Sequence, residues 1–137
     1  MSINTKYKVI VSEYAERHFI KSFSKKYKNT RDKTMNVINE ILSRIDMLIN
    51  TSKAERIHKI EKHYIAKCEF KIVWTNESPK MSWNRIIIYV DEEKKEVQIL
   101  LLYTKTDIQW WNETVWWQKQ IKENHKEIYS KFNYQIK

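Results

Sequence analysis

At 137 residues, 42% hydrophobic and 13% aromatic, the chain holds apolar material for one compact core and little for a second domain. A formal net charge of +9 favours an anionic partner (nucleic acid, an acidic protein or a membrane surface); the alternative is a lysine-rich surface that only solubilises. The absence of glycine excludes Gly-rich phosphate loops, the single cysteine excludes an internal disulfide, and apolar runs reach only five residues, as in Ile99 to Tyr103, too short for a membrane helix.

In chain order, Tyr7 to Val11 is β-branched, bounded by polar residues and predicts a strand. Ser12 with Glu13 and Glu16 is a helix start, with acids where the helix dipole stabilises them. Ala15, Phe19, Phe23 and Tyr27 recur every four residues on one face of that helix. Asn29 or Thr30 can cap a second helix, whose stripe is Ile38, Ile41, Leu42, Ile45, Leu48 and Ile49. The short connection predicts an antiparallel helical hairpin, closed by Asn50, Thr51 and Ser52.

The middle of the chain reads as strands: Glu55 to Ile60, Tyr64 to Trp74, Asn84 to Val90 and Val97 to Tyr103. Thr75 to Ser82 is a loop, and Asp91 to Glu96 is a hairpin loop on a type I turn. Without glycine, turns needing positive φ are expected to use Asn or Asp, or to lengthen. Asn112 or Thr114 opens a final helix with Trp117, Ile121, Ile128 and Phe132 on one face. The fold class is therefore α+β: an N-terminal strand and helical hairpin packed on an antiparallel β-meander, with a C-terminal helix. One domain spans 1–137, with a core of about 6–108 and a helical extension of about 109–137.

Alternation sorts the strand residues onto two faces. Cys68, Phe70, Ile72, Ile86, Ile88, Leu100 and Leu102 should bury against the hairpin, leaving the Cys68 thiol inert. The other face carries Lys67, Glu69, Lys71, Arg85, Ile87, Tyr89, Leu101, Tyr103 and Lys105. An arginine can fork two phosphate oxygens, lysines add point charges, and tyrosines stack on bases or donate a proton. The same residues also fit a solvated face with weak cross-strand pairs, and Ile87 and Leu101 also fit burial under the C-terminal helix.

The order strand, helical hairpin, antiparallel meander resembles the RelE/ParE superfamily of toxins. The resemblance rests on ERHFIKSFSKKY followed by INEILSRIDMLI, on EFKI, on NRIIIYVD with Arg85 opening its strand, and on ILLLYTKTDI. It covers roughly residues 6 to 108. It implies a toxin held silent by a cognate antitoxin, either a RelE-like endoribonuclease that cleaves mRNA, often on the ribosome, and so inhibits translation, or a ParE-like gyrase inhibitor that cleaves nothing. For the first, it implies that Arg85 stabilises the phosphorane-like transition state, that Tyr103 and Lys105 act near the attacking or leaving oxygen, and that Lys71 neutralises the phosphate. Glu69 is a further candidate base, and Lys67, Lys71, Arg85, Tyr89 and Lys105 would grip RNA. No metal or other cofactor is implied. A third reading is a basic RNA-binding module without toxicity.

The tail carries Trp110, Trp111, Trp116 and Trp117, which suit either a partner-docking surface or, more simply, a helix covering part of the sheet. His18, His58, His63 and His125 with Cys68 lack zinc spacing; His58 and His63, five apart, are expected on opposite faces, with His58 at the surface. The single cysteine, and the lack of a secretory segment near Met1, point to a cytoplasmic setting without membrane association.

Overall fold

A computed structural model describes residues 6–20, 31–49, 51, 54–71, 83–104, 108, 112–133 and 136. Within these, the side chains of 19, 20, 31–35, 37, 70, 71, 83, 84 and 104 are not described. Strand β1 is Lys8–Val11, followed by the helical turn α1, Glu13–Ala15, which continues as a π-helical turn, Glu16–Ile20. Ser12 caps it as expected: its Oγ accepts a 3.0 Å hydrogen bond from the Ala15 N–H. The expected Asn29 or Thr30 cap, the hairpin connection, Phe23 and Tyr27 lie outside the described residues.

The second helical stripe is divided between α2, Arg31–Leu42, and α3, Ile45–Leu48, with a break at Ser43 and Arg44. Ile38, Leu42 and Ile45 are nonetheless buried on one side, as the spacing requires. Four strands follow: β2, Ala54–Ile60; β3, His63–Lys71; β4, Trp83–Asp91; and β5, Glu96–Thr104. They pair antiparallel in sequence order, and β1 adds to β5 in parallel, giving the sheet order β1-β5-β4-β3-β2.

The turns depart from expectation. Positive φ falls on Glu61 (53°) and Lys95 (56°), not on asparagine or aspartate. Glu61 is the first of two residues joining β2 to β3, and Lys95 the last of four joining β4 to β5. Each left-handed residue with a Cβ costs about 1–2 kcal/mol, which the pairing of the flanking strands outweighs. Asp91 has a different role: its Oδ1 accepts from the N–H groups of Glu93 and Lys94, both at 3.0 Å, and so shapes the β4–β5 loop.

The sheet is buried on both faces. Tyr64, Ala66, Cys68, Ile86, Ile88, Val90, Val97, Ile99 and Leu102 pack with Ile38, Leu42 and Ile45 from α2 and α3. Cys68 lies in this core, where burial pushes its thiol up to about 12. Ile65, Ile87, Tyr89, Leu100, Leu101 and Tyr103 pack with Trp117, Ile121, Ile128 and Phe132 from the C-terminal segment. That segment is two helices, α4, Glu113–Asn124, and α5, Lys126–Lys131, broken at His125. The covering role of the tryptophan-bearing tail holds for Trp117, which is fully buried; Trp110 and Trp111 lie outside the described residues.

Leu100 therefore lies on the face opposite to its expected one. Ile87 pairs with Leu101 and Ile88 with Ile99, so Leu100 is an extra residue in β5, a β-bulge that resets the alternation. Its carbonyl accepts a 3.0 Å hydrogen bond from His125 Nε2, at the break between α4 and α5. A carbonyl only accepts, so this ring carries its proton on Nε2. His58 and His63 also share the C-terminal side of the sheet: His58 faces Trp117 and His63 stacks on Tyr89. The turn at Glu61 and Lys62 reverses the chain between them, so counting along one strand misplaces the pair. His58 is half-buried, and its Nε2 has no hydrogen-bond partner.

Burial lowers the pKa of both His125 and His58; for His125 the Leu100 carbonyl offsets part of that effect. The unfolded chain thus takes up these protons more readily than the folded one. Their contribution to stability is complete above the ordinary histidine value of about 6.5 and is lost as pH falls through the lower folded-state values. Thermal melts should show a flat Tm between pH 7 and 8 and a fall between pH 6.5 and 5. H125Q, which keeps a donor and does not titrate, should shrink the fall; H125A should cost about 1–3 kcal/mol by leaving the Leu100 carbonyl unpaired. A Tm that ignores pH in the wild type contradicts this.

Candidate functional site

Register across three strands builds the site. Glu69 pairs with Arg85 on β3 and β4, and Arg85 pairs with Tyr103 on β4 and β5, so the three residues form one row across the sheet. Lys67 is two residues back along β3, on the same face. Four of the residues singled out in the sequence, Lys67, Glu69, Arg85 and Tyr103, are therefore brought together. Tyr89 is not: it lies four residues along β4 from Arg85, roughly 13 Å at strand rise. Lys71 ends β3 without a described side chain, and Lys105 falls outside the described residues.

A residue that sequence reasoning passed over completes the cluster. Glu113, the first residue of α4, lays its carboxylate over the row. Its Oε2 accepts a 2.7 Å hydrogen bond from the Tyr103 hydroxyl, and lies 2.9 Å from Arg85 Nε and 3.7 Å from Lys67 Nζ. The Arg85 Nε–H makes no hydrogen bond despite that distance, so the contact is an ion pair with the N–H misaligned. Arg85 Nη2 is 3.5 Å from Glu69 Oε1. The Arg85 side chain is 12% exposed, Glu113 19% and Glu69 38%. The visible signal for Glu113 was its place beside Asn112, whose Oδ1 caps α4 by accepting from the Val115 N–H at 3.2 Å.

Tyr103 is almost wholly buried, with the Trp116 ring tilted against it at 4.8 Å. Burial first, and then the hydrogen bond to Glu113, push the Tyr103 phenol far above its ordinary range. The group keeps its proton near neutral pH and serves as a hydrogen-bond donor; it cannot serve as a base. The expected lysine and arginine row is therefore a site with two cations, two carboxylates and a phenol, neutralised by the chain's own helix.

At the other end of the face, Tyr89 belongs to a second polar group. Its hydroxyl takes a 3.0 Å hydrogen bond from Lys131 of α5 and lies 2.8 Å from His63 Nδ1, while His63 is 3.8 Å from Asp91. This group ties α5 to the sheet, as His125 does at the helix break. Tyr14 adds a tie from the N-terminal side, donating to Gln120 at 2.7 Å. Among the described residues, no three His, Cys, Asp or Glu side chains are grouped to hold a metal, and no helix is long and apolar enough to cross a membrane.

The sequence matches no protein-family profile and no curated protein. A chain of the crystal structure of the archaeal RelE–RelB complex from Pyrococcus horikoshii OT3 is similar in structure, at 11% sequence identity and a TM-score of 0.45. The similarity covers 73% of this chain and 96% of that one.

The Arg85–Glu113 pair is testable as a coupling. Urea unfolding of R85A, E113A and the double variant should give an interaction energy of about 1–3 kcal/mol, with each single variant costing more than a surface pair would. Y103F should cost about 1–2 kcal/mol for its lost charge-assisted hydrogen bond. Additive effects of R85A and E113A would contradict the pairing.

Proposed function

We propose that the protein is a toxin of the RelE/ParE type that cleaves mRNA, with the row Glu69–Arg85–Tyr103 and Lys67 as its phosphate-handling site. The observation that carries this reading is the convergence of a forked cation, an ammonium, a carboxylate and a phenol from three adjacent strands. The order of elements, strand, helices and antiparallel meander, is the one that the sequence resemblance implies. The net charge of +9 suits a polyanionic substrate.

Cleavage of this kind uses the 2′-hydroxyl of the RNA as the nucleophile. A bond forms from O2′ to phosphorus, the P–O5′ bond breaks, and the leaving oxygen takes a proton from water, whose hydroxide recovers the proton taken from the 2′-hydroxyl; the products are a 2′,3′-cyclic phosphate and a 5′-hydroxyl. Glu69 takes the 2′-hydroxyl proton, as the most exposed carboxylate of the row. Arg85 and Lys67 stabilise charge developing on the phosphoryl oxygens, and Tyr103 donates a hydrogen bond there. In this reading Lys71 neutralises the phosphate and Lys105 acts near the attacking or leaving oxygen, whereas Tyr89, buried and bonded to Lys131 and His63, takes no part. The partners are a cognate antitoxin, RNA and the ribosome, and the setting is cytoplasmic.

One observation favours a second reading. Glu69 and Glu113 already neutralise the two cations, as would suit a ParE-like inhibitor of gyrase that does no chemistry. Purified protein should cleave mRNA alone or in a translation extract, leaving 5′-hydroxyl ends. R85A should lower the rate by about 10²–10³, the loss typical of a removed transition-state donor. Intact mRNA in both settings, with altered DNA supercoiling in arrested cells, would replace the first reading with the second.

A further inference from the structure

The Glu113 carboxylate sits where a ligand's charge would sit. Three groups from three strands, the cations Lys67 of β3 and Arg85 of β4 and the donating hydroxyl of Tyr103 on β5, converge on its single oxygen Oε2. A helix N-terminus needs no such array to hold its own first-turn acid, since the dipole and the Asn112 cap already suit that end. The cluster holds two cations, Lys67 and Arg85, against two carboxylates, Glu69 and Glu113. Replacing the Glu113 charge by the single charge of a phosphodiester preserves that balance; a dianionic phosphate monoester would exceed it.

The two ends of the C-terminal segment differ in how they are held. Trp117, Ile121, Ile128 and Phe132 are buried against the sheet, and His125 is bonded to the Leu100 carbonyl. In the first turn of α4, Thr114 and Val115 are exposed, Val115 by 53%; Glu113 and the Trp116 ring are what touch the site. Lifting that turn would uncover the Trp116 ring and Tyr103, while Trp117, Ile121, Ile128 and Phe132 belong to the part of the segment that stays on the sheet.

We infer that Glu113 is an intramolecular plug: it occupies the seat of an RNA phosphodiester on Lys67, Arg85 and Tyr103, and the substrate enters only when the first turn of α4 lifts. This rests on reading that face as a phosphate site, and adds that the site is closed by the chain itself. Binding and cleavage then compete with the same carboxylate, so removing its charge should help the ligand.

The test uses the full chain and a fluorescein-labelled single-stranded oligonucleotide with 2′-deoxy sugars, which offers phosphodiesters and cannot be cleaved through a 2′-hydroxyl. By anisotropy, E113Q should tighten binding by about tenfold, the value of one charge-assisted contact. E127Q, which adds the same net charge on α5, should change it by less than about twofold. R85A in the E113Q background should abolish the gain. In the wild type, a saturating oligonucleotide should speed amide exchange over 113–117 and leave 126–131 unchanged; this readout does not depend on how well E113Q folds.

E113Q binding no tighter than E127Q, or slower exchange over 113–117 on binding, overturns the plug. So does an E113Q protein that loses RNA cleavage with no gain in binding, since Glu113 would then be a catalytic residue. The two proposals fail separately. Tighter binding by E113Q without any RNA cleavage keeps the plug and removes the ribonuclease. Cleavage by the wild type with unchanged binding by E113Q keeps the ribonuclease and removes the plug.

Discussion

The structure depends on two central strands that are apolar on both sides. In β4, Ile86, Ile87 and Ile88 are consecutive and all buried; in β5, Ile99 through Tyr103 are all buried. A strand of this kind needs cover on both faces, because either face left in water would forfeit about 25 cal/mol for each Å² of apolar surface. The first face is covered by α2 and α3. Among the described residues, the second is covered by the C-terminal segment, with Tyr14 packed at its margin.

The polar arrangement follows from that cover. Once Trp117, Ile121, Ile128 and Phe132 lie on the second face, the start of α4 falls over the row Glu69–Arg85–Tyr103. Glu113 then meets two cations that burial makes costly to leave unpaired. The bulge at Leu100 serves the same layer. It turns an additional leucine toward α4 and α5, and it frees a carbonyl that His125 satisfies at the helix break. The sheet face combines an apolar floor and a charged row, and the helix answers each with the matching chemistry.

Much of this architecture was legible in the residues. Ser12 and Asn112 announced helix starts, and the stripes Ile38 to Ile45 and Trp117 to Phe132 announced buried faces. The strands fell within a residue or two of their expected limits where they are described, because alternation and turn chemistry are local signals. The failures share a cause. Leu100 lies on the other face because a bulge is a property of two paired strands. His58 and His63 share a face because a turn lies between them. Glu61 and Lys95 adopt positive φ because the flanking ladders impose it on whatever residue is there. None of these can be read from one strand at a time.

The site divides along the same line. By itself, the sequence determined that Lys67, Glu69, Arg85 and Tyr103 would share a face, since side chains alternate at a period of two and the strands pair in order. It also determined that the C-terminal stripe would seek an apolar partner. Only the tertiary structure decided which groups touch: that Tyr89 stands apart with His63 and Lys131, that Tyr103 is buried, and that Glu113 lies on the cation pair. The physical reason is sequence distance. Glu113 and Arg85 are far apart along the chain, and no local periodicity reports a contact made by packing a helix onto a sheet.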